Sequence, residues 1–292
     1  MEKLYGLVEA GGTKIVVGVA TRHDDIRDTA RIPTTTPAET LRAVTSWLQA
    51  ASDKYGRIAA VGIASFGPLD IDPASPTWGH ITQTTKPGWN NTDVAGPIGS
   101  ALGCPVGFDT DVNGAALAES LWGAGIGQRI SLYLTVGTGI GGGAVVDGTV
   151  LRGLSHPEMG HIRLPRHSDD HDFEGSCPFH GDCLEGLASG PAIKKRWGAS
   201  LSELEPDHPG HAIIAWYLAQ AVCTFQAIFE PGRIILGGGV LATAGLLDNV
   251  RATAELLGKG YFVGRASEIV VAPGLGDRAG LLGALALAQA SG

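Results

Sequence analysis

The residues with the clearest chemical potential lie between 132 and 185. Leu132 to Val136 is an apolar run that meets a glycine turn, Gly137-Thr138-Gly139-Ile140-Gly141-Gly142-Gly143, and Ala144 to Val146 is a second apolar run leaving it. Glycine has no Cβ to block close approach, and successive N–H groups in such a turn form an anion-binding concavity. With the Thr138 hydroxyl added, that is a way to hold a phosphate. Immediately downstream, residues 153–185 carry five of the nine histidines (His156, His161, His167, His171, His180) and two of the four cysteines. Cys177, His180 and Cys183 offer three ligand atoms within seven residues. A fourth donor would close a tetrahedral set that suits zinc. His161 is the first choice, with His156, His167 and His171 as competitors. With all four positions filled by protein, such a zinc is structural, not hydrolytic. The plainer alternative is free surface histidines and unpaired thiols.

Residues 4–19, LYGLVEAGGTKIVVGV, repeat the same logic around Glu9 to Lys14. Two strand–turn–strand units suggest an internal duplication that could grip a nucleotide's phosphates from both sides; two ordinary glycine-rich hairpins are the alternative. The short strand Val106–Phe108 runs into Asp109-Thr110-Asp111-Val112-Asn113 and a helix to about Trp122. Carboxylates at the end of a buried strand sit where open α/β sheets place ligands. Asp111 reads equally well as a helix cap. A third glycine run, Gly237-Gly238-Gly239, follows the strand Arg233–Leu236 and is a weak signal alone.

These groups need a scaffold, and the rest of the chain spells an α/β one. Residues 37–55 have helical apolar spacing behind a proline, and Ile58–Ala64 reads as a buried strand. Residues 72–93 form a long irregular stretch with Pro73, Pro76 and Pro87, and loops of that length tend to be functional. Helices are expected near 189–197, 209–229, 245–257 and 278–290, with a strand at Ile269–Val271. At 292 residues, 44% of them apolar, the chain can bury a large core. The formal charge of −8 without a basic run argues against nucleic acid or an acidic membrane surface as partner. No signal-type segment or span of about 18 apolar residues is expected, which points to the cytoplasm, where thiols stay reduced.

Taken in order, EAGGTK (9–14), SFGPLD (65–70), DTDVNGAALAE (109–119), GTGIGGG (137–143), EMGH (158–161), the Cys/His loop with CLE (183–185) and IILGGGV (234–240) resemble the ROK family of sugar kinases. KPGWNNTDV (86–94) and CPFHGDC look most like its bacterial fructokinase branch. The resemblance implies two ribonuclease-H-like α/β domains of the actin-like ATPase/hexokinase superfamily flanking a cleft. They would be residues 1–112 plus the terminal helix 278–292, and residues 113–277 with the zinc loop. It implies ATP-dependent phosphorylation of a hexose, most of all D-fructose to fructose 6-phosphate, with Asp111 as general base. Gly11, Gly12, Thr13 and Lys14 would form one phosphate turn, Gly137, Thr138 and Gly139 the other, and Gly238 and Gly239 would lie against the adenosine. Mg²⁺ would bridge the phosphates. Asn90, Asp111, Glu158, His161 and Glu185 would meet the sugar, with His161, Cys177, His180 and Cys183 on structural Zn²⁺. A homodimer is implied too. Two positions depart from the family pattern: Glu9 stands where many relatives have Asp, and His180 where the loop usually has a third cysteine.

Three other readings stay open. A ROK kinase for mannose, glucose or an N-acetylhexosamine would share every motif above. A zinc-stabilised sugar-binding protein without catalysis would leave Asp111 as a cap. A sugar-responsive repressor needs an N-terminal helix-turn-helix, and here the first strand is expected by residue 4.

Overall fold

Apolar runs interrupted by glycine become paired strands. In the computed structural model, which describes residues 2–292, β1 (Leu4–Ala10) and β2 (Lys14–Arg22) are antiparallel, with Val8 opposite Val17 and Glu9 opposite Val16. β3 (Asp25–Pro33) adds an edge strand that the apolar pattern did not announce, because its residues are mostly polar and half-exposed. α1 (Pro37–Tyr55) begins where its proline does. The Glu39 N–H donates to Thr36 Oγ1, and Leu41, Val44, Leu48 and Ala51 form the buried stripe. β4 (Ile58–Ser65) and β7 (Val106–Thr110) join β1 in parallel, giving the order β3-β2-β1-β4-β7. Between them lie a two-stranded ribbon, β5 (His80–Ile81) and β6 (Thr92–Asp93), and helix α2 (Ala95–Leu102). The ribbon gives the long 72–93 stretch its structure. α3 (Asp111–Trp122) follows β7 directly.

The terminal helix (Ala279–Ser291) packs on this sheet through glycine. A Cβ on Gly62 of β4 would lie 1.7 Å from the Ala284 carbonyl oxygen, so only glycine lets the helix come this close.

The second sheet repeats the first. β8 (Ile130–Val136) and β9 (Ile140–Val146) are antiparallel, β10 (Thr149–Val150) is the edge, and β11 (Arg233–Gly237) and β12 (Val270–Val271) continue in parallel from β8. The order β10-β9-β8-β11-β12 matches the first sheet strand for strand. The duplication suggested by the two glycine hairpins is therefore present in the topology. Around this sheet lie α4 (Leu184–Ala188), α5 (Gly190–Trp197), α6 (Gly210–Phe229), α7 (Leu246–Gly258) and α8 (Ala266–Ile269). α8 occupies the start of the expected strand at 269–271.

The chain divides into two units. The first runs as far as Ala118 and takes in Val150–His156 and Asp277–Gly292; the second comprises Glu119–Thr149 and Pro157–Gly276. The division falls six residues later in α3 than the 112/113 boundary read from sequence, because Gly114 packs against Gly283 of the terminal helix. Val150–His156 goes with the first unit because it binds Asp109 and Leu69.

α6, with mean hydropathy 1.6, is long and apolar enough by length and composition to cross a bilayer. Interruptions by His211, Gln220 and Gln226 hid it as a run. It buries Ile213, Ile214, Tyr217, Leu218, Val222 and Phe225, as the core helix of a globular unit does.

Candidate active site

In the first unit, Asp111 opens α3 at the end of β7, whose last three residues, Phe108 to Thr110, are buried. The cap of that helix is Thr110, whose Oγ1 accepts from the Asn113 N–H at 3.1 Å, while Asp111 Oδ1 accepts from its neighbour's N–H, Val112, at 2.9 Å. The capping duty that sequence alone could have given Asp111 is filled by the residue before it.

Glu9, next to last in β1, is the carboxylate whose charge Asp111 opposes. Burial pushes the Glu9 carboxyl up from 4.5 to about 7, the charges of Asp111 and Asp277 push the same way, and Lys14 pulls against them. Its side chain lies over Gly280, where a Cβ would sit 2.3 Å from Oε1.

The turn Gly11–Lys14 is held open by Thr34. The Thr34 N–H donates to Thr13 O at 3.0 Å and Thr34 Oγ1 donates to Gly11 O at 2.9 Å. Nothing lies within 4 Å of where a Gly12 Cβ would be, so its backbone has room for a ligand. Lys86 Nζ donates to the Gly12 carbonyl, which brings an ammonium to this turn. Its loop is pinned by Trp89, which is fully buried and donates its indole N–H to Thr35 O at 2.9 Å. Asn90 is exposed on the same loop, and its Oδ1 accepts from the Thr84 N–H at 2.8 Å.

In the second unit, Gly137, Thr138 and Gly139 form the turn between β8 and β9, with Thr138 exposed. The turn is closed by Gly137 N–H to Gly139 O at 2.9 Å and by Gly190 N–H to Gly137 O at 2.8 Å. Glu185 is tied to this turn: its Oε2 accepts from the Ile140 N–H at 2.9 Å. A Cβ on Gly139 would stand 2.7 Å from that same oxygen. One Glu185 oxygen thus shapes the glycine turn, a task the sequence did not disclose. Gly238, at φ 92°, passes so close to Val136 that a Cβ would meet its N and O at 2.5 Å, and Gly239 beside it is open.

His161, Cys177, His180 and Cys183 converge, their ligand atoms all within 4.8 Å of one another. His161 Nδ1 lies 3.7 Å from Cys177 Sγ, 3.5 Å from Cys183 Sγ and 3.2 Å from His180 Nδ1, and Cys177 Sγ lies 3.8 Å from His180 Nδ1. With Zn–S of about 2.3 Å and Zn–N of about 2.05 Å, a tetrahedron puts sulfur and nitrogen about 3.6 Å apart and two nitrogens about 3.4 Å apart. These four separations are close to tetrahedral ones, so the group could hold a metal ion. The three competing histidines are elsewhere: His156 Nε2 accepts from the Leu69 N–H, His167 Nδ1 accepts from the Asp169 N–H, and His171 is exposed. Glu158 Oε2 stands 3.9 Å from His161 Nε2, the ring nitrogen turned away from the cluster. All four cysteines are free thiols.

A second anchor holds the loop between these ligands. Tyr217 OH donates to buried Asp170 at 2.7 Å, and Arg196 Nε stands 3.1 Å from the same carboxylate. Arg166 donates to the carbonyls of Asp170 and Phe173.

Paired glycine turns on a duplicated sheet, with a carboxylate opening the helix after β7, have a counterpart among known proteins. The profile of the ROK family matches residues 5–291. The chain belongs to the ROK family. This ROK protein is 52% identical to the fructokinase of Zymomonas mobilis over 99% of its own length and 98% of that protein's. It is 28% identical to the glucokinase of Streptomyces coelicolor, over 97% of this chain and 96% of that one. The ROK hexokinase of Thermus thermophilus has the same fold, with a TM-score of 0.82 at 29% identity over 98% of both chains. That agrees with the α/β fold expected of the actin-like ATPase/hexokinase superfamily.

Proposed function

We propose that this ROK protein is a fructokinase, transferring the γ-phosphoryl group of ATP to the 6-hydroxyl of D-fructose. The observation that carries the reading is the near full-length likeness to a fructokinase at 52% identity, against 28% for a glucokinase. The local geometry supports it. With Thr110 supplying the helix cap, Asp111 is the base that takes the hydroxyl proton as the sugar oxygen attacks phosphorus. Gly11, Gly12, Thr13 and Lys14 receive one part of the triphosphate, and Gly137, Thr138 and Gly139 receive another, through backbone N–H groups and the threonine hydroxyls. Gly238 and Gly239 offer a surface without side chains for the adenosine. Glu158 and His161 accept and donate to sugar hydroxyls, with Asn90 Nδ2 and the second Glu185 oxygen as further partners. The carboxylates of Glu9, Asp111 and Asp277 would supply the oxygen-rich surroundings that suit Mg²⁺, which would offset the charge of the phosphates.

Zinc fits His161, Cys177, His180 and Cys183, and its task is to hold the 153–185 loop so that Glu158 and His161 Nε2 keep their orientation. A cytoplasmic homodimer completes the proposal.

The test is ADP release by purified protein with Mg-ATP across fructose, mannose, glucose and N-acetylglucosamine. Fructose leading in kcat/KM is the expected result. Greater turnover on another hexose would overturn the substrate and keep the chemistry. No sugar-dependent ADP release from zinc-loaded protein would remove the kinase reading and leave the sugar-binding one.

A further inference from the structure

Two residues before Asp111 stands a second carboxylate, Asp109, fully buried. Its four hydrogen bonds engage both oxygens. Oδ1 accepts from the Thr110 N–H at 2.7 Å and from Asn113 Nδ2 at 2.7 Å. Oδ2 accepts from Arg152 Nε at 3.1 Å and Arg152 Nη2 at 2.6 Å. Two of the donor residues belong to the turn that carries Asp111; the third comes from a strap, Val150–His156, that returns to the first unit from a point 43 residues further along the chain. The same strap grips the turn after β4. The Leu69 N–H donates to His156 Nε2 at 3.2 Å, and Ser155 Oγ donates to Leu69 O at 3.4 Å.

A buried carboxylate without a counter-charge is unstable: it takes a proton or turns towards water. Either event would release Thr110 and Asn113, which define the backbone on both sides of Asp111. The guanidinium meets Oδ2 with two N–H groups, a fixed planar grip that a lysine ammonium cannot reproduce. It also offsets one charge two residues from Asp111, whose own charge already presses on Glu9. We propose that Arg152 is a positioning residue for the catalytic carboxylate: by neutralising and orienting Asp109 it holds the 109–113 turn so that Asp111 meets the sugar hydroxyl. This rests on the kinase reading, in which Asp111 is the base. Arg152 touches no reacting atom in it.

The experiment compares wild type with Arg152→Met, Arg152→Lys, Asp109→Asn and the double variant Arg152→Met/Asp109→Asn, by steady-state kinetics on fructose and Mg-ATP. A base misplaced by about 1 Å costs about 100-fold. Arg152→Met should therefore lose about 100-fold in kcat while the KM for Mg-ATP stays within about threefold, and Arg152→Lys should fall between it and wild type. The double variant, with no buried charge left to compensate, should recover about tenfold over Arg152→Met. Rescue by a second mutation separates charge balance from mere loss of packing. The proposal is overturned if Arg152→Met keeps kcat within about threefold of wild type, or if the losses of the two single variants multiply in the double. Should Arg152→Met fail to fold, Arg152→Lys and the double variant carry the same comparison. The wild-type rate, measured alongside, separates failure of the kinase reading from failure of this one.

Discussion

Replacing Glu9 by Gln should change how stability depends on pH, and the size of the change follows from the burial of that carboxyl. In the folded chain Glu9 titrates at about 7, against 4.5 when unhindered. Between these values the folded state holds a proton that the unfolded chain has released, so stability falls as pH rises through the window and stays lower above it. At 1.36 kcal/mol per pH unit, the interval from 4.5 to about 7 corresponds to about 3 kcal/mol. Gln cannot titrate. The stability of Glu9→Gln minus that of wild type should therefore rise by about 3 kcal/mol from about pH 4.5 to about pH 8, whatever its value at the acid end. Urea denaturation followed by tryptophan fluorescence, in nucleotide- and magnesium-free buffer, reads that difference, and other titrating groups cancel in it. Asp111→Asn should lower the upper end of the window, since the Asp111 charge is one of the causes that raise Glu9. A difference that stays flat across the range would show that Glu9 is solvated and that the carboxylates around Asp111 do not crowd one another.

Asp111→Asn should lose turnover by about 10²- to 10⁴-fold while melting within a few degrees of wild type, because the Thr110 cap remains; unchanged turnover would make Asp111 a structural residue after all. Metal analysis should return one zinc per chain, lost in Cys177→Ser and in His180→Ala. Chelation should speed hydrogen exchange at 177–183 before it does so at 166–173, which Asp170, Tyr217 and Arg196 hold independently. Simultaneous release of both segments would mean that the metal carries the whole loop. Lys86→Met should raise the KM for Mg-ATP about tenfold and leave adenosine inhibition unaltered, if the ammonium that rests on the Gly12 carbonyl moves to a phosphate. Equal weakening of ATP and adenosine would confine Lys86 to holding its loop.

Much of this protein is legible in the amino-acid sequence itself. Glycine turns between apolar runs, the start of α1 at Pro37, and the Cys177–His180–Cys183 spacing are local patterns, and local sterics decide them. The strand–turn–strand repeat likewise foretells the duplicated sheet, because strand order in such a unit follows from short connections. Contacts between distant segments are not legible there. His161, and not His156, His167 or His171, converges with Cys177, His180 and Cys183, and that choice belongs to how the loop closes. β3 gives no sequence signal because an edge strand needs no apolar alternation. The raised Glu9 carboxyl, Lys86 on Gly12 across 74 residues, Glu185 on Ile140 across 45 and Arg152 on Asp109 across 43 exist only once the chain has packed. Residue type sets what each group can do. Burial and counter-charge, which are properties of the packed fold alone, decide which of them does it.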